Sequence, residues 1–125
     1  MAFHSKVVKD VSDSGTELIR VDMLRRCIER ILIVASVKGE DLASFSVEAR
    51  PSHPDCPWVS MASTSDEFTS PADPVIRVTG GDLSSLAAGS TGAILLNSFA
   101  FDECRVVASS SSTSGSNVTL FFGGS

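Results

Sequence analysis

The groups in this chain that could do chemistry are few and thinly spread. His53 and Cys56 lie three residues apart, a spacing that can put two ligands on one ion, but zinc needs three or four and no second pair occurs. A Ser or Cys nucleophile needs an oriented base, and the only histidines are His4 and His53; no Gly-x-Ser-x-Gly elbow is present. The acidic pairs Glu40-Asp41, Asp66-Glu67 and Asp102-Glu103 offer oxygen ligands that could wrap calcium, and they read more simply as solvated turns. Gly80-Gly81 and Gly123-Gly124 lack the Lys-Ser/Thr that completes a phosphate cradle, so turn geometry and a flexible chain end account for them. Trp58 could stack on a sugar ring, but sugar platforms present several aromatics and this chain has one Trp and no Tyr, which assigns Trp58 to core packing. The reading is a protein that is not an enzyme, with no catalytic residues, no metal site and no cofactor.

Composition narrows the partners. With 42% hydrophobic and 20% charged residues, 125 residues suit one folded domain. A net charge of -5, with Arg25-Arg26 the longest basic run, argues against nucleic acid. No apolar run reaches the roughly 20 residues a membrane helix needs, and the first 15 residues lack the apolar heart of a secretory signal, so synthesis and use in a cytosol without a membrane are expected. Cys27, Cys56 and Cys104 are odd in number and match free, mostly buried thiols better than a disulfide framework.

The elements that must position these residues are short and β-like. Met1 to Gly15 carries one Val7-Val8 pair among polar residues and reads as an N-terminal arm, with residues 16–125 as the domain. Thr16 to Asp22 alternates with Leu18, Arg20 and Asp22 on one face and Glu17, Ile19 and Val21 on the other. About Ile28 to Val37 follows, its dense run Ile31-Leu32-Ile33-Val34-Ala35 marking the most buried strand; Met23, Leu24, Cys27, Ile28 and Ile31 also fit a helical spacing, which the β-branched cluster opposes. Further strands are expected at Ala43 to Ala49, Trp58 to Met61 (Trp58 or Val59 anchoring the core), Val75 to Thr79, Ala93 to Asn97, Glu103 to Ala108 and Val118 to Phe122. Between them lie a proline loop from Arg50 to Pro57, a loop from Ser63 to Pro74 pinned by Phe68, a turn at Gly80 to Asp82 with Leu83 and Leu86 tucked beneath a loop, and a flexible Ser-rich tip from Ser109 to Asn117. The fold class is all-β: a single antiparallel β-sandwich of about eight strands, jelly-roll-like or Greek-key.

The run Val34 to Val47, the Pro57-Trp58-Val59-Ser60-Met61-Ala62 strand followed by Asp66-Glu67-Phe68-Thr69-Ser70-Pro71, the segment Gly81 to Gly89 before an apolar strand, and the ending Val118 to Gly124 together resemble small virion proteins of tailed bacteriophages. They look like capsid decoration, or cement, proteins. The resemblance is one of overall pattern over about 110 residues and carries over no functional residue.

It implies a compact β domain on the outer surface of the phage head, made in the host cytoplasm, bound to the major capsid protein and assembled as a homo-oligomer, with a trimer favoured. Contacts with capsid or neighbouring subunits are expected at Lys6, Lys9 and Asp10 in the arm, at His53 in the proline loop, and at Asp66, Glu67 and Phe68 in the following loop. A head-to-tail connector or tail component, and a carbohydrate-binding β-sandwich module, are the alternatives.

Overall fold

The computed structural model describes residues 3–22, 30–51, 53–61, 65–66, 75–79, 86–97 and 102–124. Ten strands lie among them: β1 (Phe3–Val11), β2 (Thr16–Asp22), β3 (Arg30–Lys38), β4 (Leu42–Arg50), β5 (Val59–Met61), β6 (Ser65–Asp66), β7 (Val75–Thr79), β8 (Thr91–Asn97), β9 (Glu103–Ser110) and β10 (Ser116–Gly124). No described residue is helical. The alternative helix from Met23 to Val34 is ruled out over residues 30–34, which belong to β3, and its residues 23–29 fall outside the described residues, as do Glu67, Phe68 and Leu83.

The strands form one sheet in the order β1-β10-β3-β8-β7-β6 and a second in the order β2-β9-β4-β5. β1 pairs with β10, β2 with β9, β3 with β8 and β4 with β5, all antiparallel. That nested series is an antiparallel ribbon folded over on itself, the strand order of a jelly roll. Eight strands make the sandwich, and one edge of the larger sheet is extended by β7, antiparallel to β8, and by β6, in a short parallel pairing with β7.

Alternation along each strand builds the core. Ile31, Ile33, Ala35 and Val37 of β3, Ile94 and Leu96 of β8, and Val118 and Leu120 of β10 are buried on the inner side of the larger sheet. Ile19 and Val21 of β2, Phe45, Val47 and Ala49 of β4, and Cys104, Val106 and Ala108 of β9 face them from the smaller sheet. Leu86 joins this core from its loop, and its carbonyl accepts a hydrogen bond from the Leu42 amide at 3.0 Å.

Several expectations change. Residues 3–11, read as an arm, are ordered by their own chain, since β1 pairs with β10 along its whole length. Val7 packs against the core and Val11 is buried. Gly123 and Gly124, read as a loose end, pair with Leu32 and Ile31 on one side and with His4 and Phe3 on the other.

β2 departs from strict alternation: a bulge between Glu17 and Ile19 leaves Leu18 and Ile19 both buried and turns Glu17 to the same side as Arg20. The Ser-rich tip is shorter than expected and is tied down. Ser110 and Ser116 belong to strands and are buried, and both the amide and the hydroxyl of Ser111 donate to the Asp41 carbonyl.

Candidate interaction surface

The outer face of the smaller sheet is closed by its own charges. Register places Arg20, Arg105 and Glu48 in one row across β2, β9 and β4, and Asp22, Glu103 and Arg50 in the next. Arg105 Nε donates to Glu48 at 2.6 Å, and Arg105 Nη1 lies 3.7 Å from Glu17. Arg20 reaches Glu17 at 2.9 Å, a pairing that needs the bulge because residues three apart on a regular strand point to opposite faces.

Trp58 belongs to this network. Its ring centroid is 4.2 Å from the Arg50 guanidinium carbon, 4.6 Å from that of Arg105 and 5.2 Å from that of Arg20. The assignment of Trp58 or Val59 to the core is therefore corrected. Trp58 is half-buried against guanidinium groups, and Val59 is 57% exposed on β5, the last strand of the smaller sheet. An indole face attracts cations through its quadrupole, so an arginine-lined sheet holds this ring on the outer side. Trp58 is thus already engaged by the protein's own side chains, which does not suit a bare sugar platform.

The outer face of the larger sheet is different. The run Ile31-Leu32-Ile33-Val34-Ala35, read as the most buried strand, is buried on alternate residues; Leu32 is 43% exposed and Val34 half-buried. Cross-strand register extends this apolar character, with Lys6, Phe121, Val34 and Ala93 in one row and His4, Gly123, Leu32 and Leu95 in the next. Phe121 is 48% exposed, and Lys6 Nζ lies 5.6 Å from its ring centroid. Because Gly123 contributes no side chain between His4 and Leu32, a groove of about 480 Å³ opens there, flanked by Lys6, Val34 and Phe121. A contiguous exposed apolar patch rimmed by polar residues marks a surface meant to be covered.

Of the seven expected contact residues, the five that are described do not converge. Lys6, Lys9 and Asp10 lie on β1, at one edge of the larger sheet, and Asp66 lies on β6 at the opposite edge. His53 is in the loop before β5; it is exposed, and its Nδ1 accepts the Asp55 amide at 3.1 Å. The Cys56 amide donates to the His53 carbonyl at 3.1 Å, so the His53-Cys56 spacing serves a local turn. The exposed residues Leu32, Val8 and Phe121 were missed. The signal for them was present in the five-residue apolar run of β3 and the Phe121-Phe122 pair, whose outward members have to go somewhere.

Among the described residues no three His, Cys, Asp or Glu side chains converge on a possible ion. Asp41, read as part of a solvated acidic turn, accepts the Ala88 amide on Oδ1 at 2.8 Å and so fixes the loop before β8. Cys104 is buried and in no disulfide, and burial, followed by the neighbouring Glu103 charge, pushes its thiol up to about 12, so it is not a nucleophile at neutral pH.

No protein-family model and no curated protein sequence matches the chain. Two solved structures show slight likenesses that carry no argument. One is of Bacillus endospore appendages, a family of disulfide-linked pili, at a TM-score of 0.32 and 6% identity over 98% of this chain and 85% of that one. The other is the capsid of Helicobacter pylori bacteriophage KHP30, at 0.32 and 7% identity over 99% and 87%. The whole sandwich is similar in fold to the SPBc2 prophage-derived protein YomS, with a TM-score of 0.57 and 8% identity over 100% of this chain and 96% of that chain.

Proposed function

We propose that this chain is a structural virion protein of a tailed phage, and specifically a decoration protein that binds the outer surface of the head through the outer face of its larger sheet. The observation that carries the reading is the outward apolar patch of Leu32, Val34 and Phe121 on β3 and β10, inside a six-stranded sheet, while the other outer face is closed by its own ion pairs. The similarity in fold to a prophage-derived protein supports it. Binding by many identical small domains stabilises a shell by mass action and needs no active site. The major capsid protein is the partner proposed for the apolar row, and Lys6, Lys9 and Asp10, on the edge beside it, meet the capsid or an adjacent subunit.

The test is the copy number and position of the chain in purified particles, by quantitative gel analysis and cryo-electron microscopy of heads. Hundreds of copies on the outer shell, lost when Leu32→Glu and Phe121→Glu are introduced into a still-folded chain, are expected. A few copies at one vertex would make it a connector or tail component, and absence from particles would end the virion reading.

A further inference from the structure

The two ends of the larger sheet differ. β6 is two residues long, whereas β1 offers nine, with β10 on one side and no strand on the other among the described residues. A long edge strand leaves one row of backbone donors and acceptors open to a further strand. Lys6, Val8 and Asp10 alternate along its outer face and are all exposed, while Val7 turns to the core. The Asn117 amide donates to Asp10 Oδ1 at 3.0 Å and Lys6 lies across the Phe121 ring, so both charges are held on that face.

We propose that β1 is a self-pairing edge, joining a second copy of this chain in an antiparallel strand pair about a two-fold axis at Val8. In that register Val8 meets Val8 of the second copy, Lys6 meets Asp10 and Asp10 meets Lys6. Opposite charges directly across an antiparallel pair stabilise it, and like charges destabilise it.

Neighbouring two-fold registers are worse. Centring on Lys6 sets Lys6 against itself and centring on Lys9 does the same for Lys9, while centring on Val7 leaves Lys6 facing Val8. A slip of one residue sets the outer face of one copy against the inner face of the other. The lysines that would blunt this edge toward other strands therefore admit one register of the chain's own. The result is a continuous sheet of twelve strands, with the two apolar outer faces on the same side. This pairing is a property of the isolated chain and stands apart from the virion reading; it is two-fold, where the resemblance implies a trimer.

Sedimentation equilibrium on the full chain tests it. The wild type should sediment as a dimer. Lys6→Glu and Asp10→Lys should each weaken association by about tenfold or more, since each sets like charges against each other at both symmetry-related contacts. An equimolar mixture of the two variants should recover a dimer, because a mixed pair restores both opposite-charge contacts. Circular dichroism checks the fold, and Lys6→Gln with Asp10→Asn stands in if either reversal unfolds the chain, each then weakening the dimer without recovery on mixing. A wild type that stays monomeric, a trimer insensitive to the substitutions, or mixed reversal variants that associate no better than either alone each overturns the proposal.

Discussion

Arg50 holds its guanidinium carbon 4.2 Å from the Trp58 ring centroid while its Nη1 donates to the Cys56 carbonyl at 3.2 Å, so one side chain fastens both the indole and the loop that delivers it. Its remaining nitrogens face Glu103 at 3.5 Å. Replacing Trp58 with Leu keeps apolar cover but removes the quadrupole, at an expected cost of about 1–2 kcal/mol in urea unfolding. Arg50→Ala should then cost less in the Leu background than in the wild type. Equal costs in both backgrounds would mean the ring and the guanidinium act independently.

A buried hydroxyl relay should be cooperative. The Ser112 amide donates to Ser110 Oγ at 3.3 Å, the Ser110 and Ser116 hydroxyls are 2.8 Å apart, and Ser116 Oγ donates to the Glu40 carbonyl at 2.7 Å. Ser116→Ala leaves buried polar groups short of partners and is expected to cost about 1–3 kcal/mol. The double variant with Ser110→Ala should cost less than the sum of the two single changes, measured by chemical denaturation.

Alkaline pH should weaken the fold through Cys104. Its thiol is raised from 9.0 to about 12 in the folded protein, so between those values the unfolded chain releases a proton that the folded chain keeps. Stability from this group is complete below pH 9.0 and declines as pH rises toward 12, by about 1.4 kcal/mol per unit. Comparing the wild type with Cys104→Ala from pH 8 to about 11 isolates the effect: the variant starts less stable and shows a flatter decline. Parallel declines would refute it.

Gly124 should not tolerate a side chain. A Cβ there would overlap the Arg30 carbonyl oxygen, a backbone atom that cannot rotate away. Gly124→Ala is expected to lose about 1–3 kcal/mol, the scale of overpacking. Gly15 has open space around the same atom, and its φ of +105° makes any loss at Gly15→Ala one of backbone conformation instead. Thermal unfolding of the two variants, with hydrogen exchange at Arg30 to Leu32, distinguishes a displaced strand from a strained turn.

Much of the fold was legible because alternation writes itself into a half-buried strand. β2 and β7 have the bounds that their runs predict, and β4 extends one residue beyond its predicted run at each end. β1 was hidden because an edge strand buries so little. Among its described side chains Val7 and Val11 pack into the core with polar neighbours around them, and its backbone is satisfied by a strand more than a hundred residues on, which local pattern does not encode. The bulge in β2 reads as ordinary alternation, so the meeting of Glu17 with Arg20 could not be anticipated. The outward apolar residues were missed for a related reason. A continuous apolar run reads as a strand covered on both sides, and only the assembled sheet shows that nothing described lies over Leu32 and Phe121.

The place of β10 between β1 and β3 also sets the order in which the protein can assemble during translation. Phe3 waits for Gly124 and Ile31 for the same residue, so the strand that joins the two leaves the ribosome long after either of them. Until then β3 keeps an open edge of unpaired backbone groups, and closing so long a loop is slow. The nascent chain is thus vulnerable to aggregation until β10 emerges, and a chain cut short before Ser116 lacks the staple that holds the sheet shut.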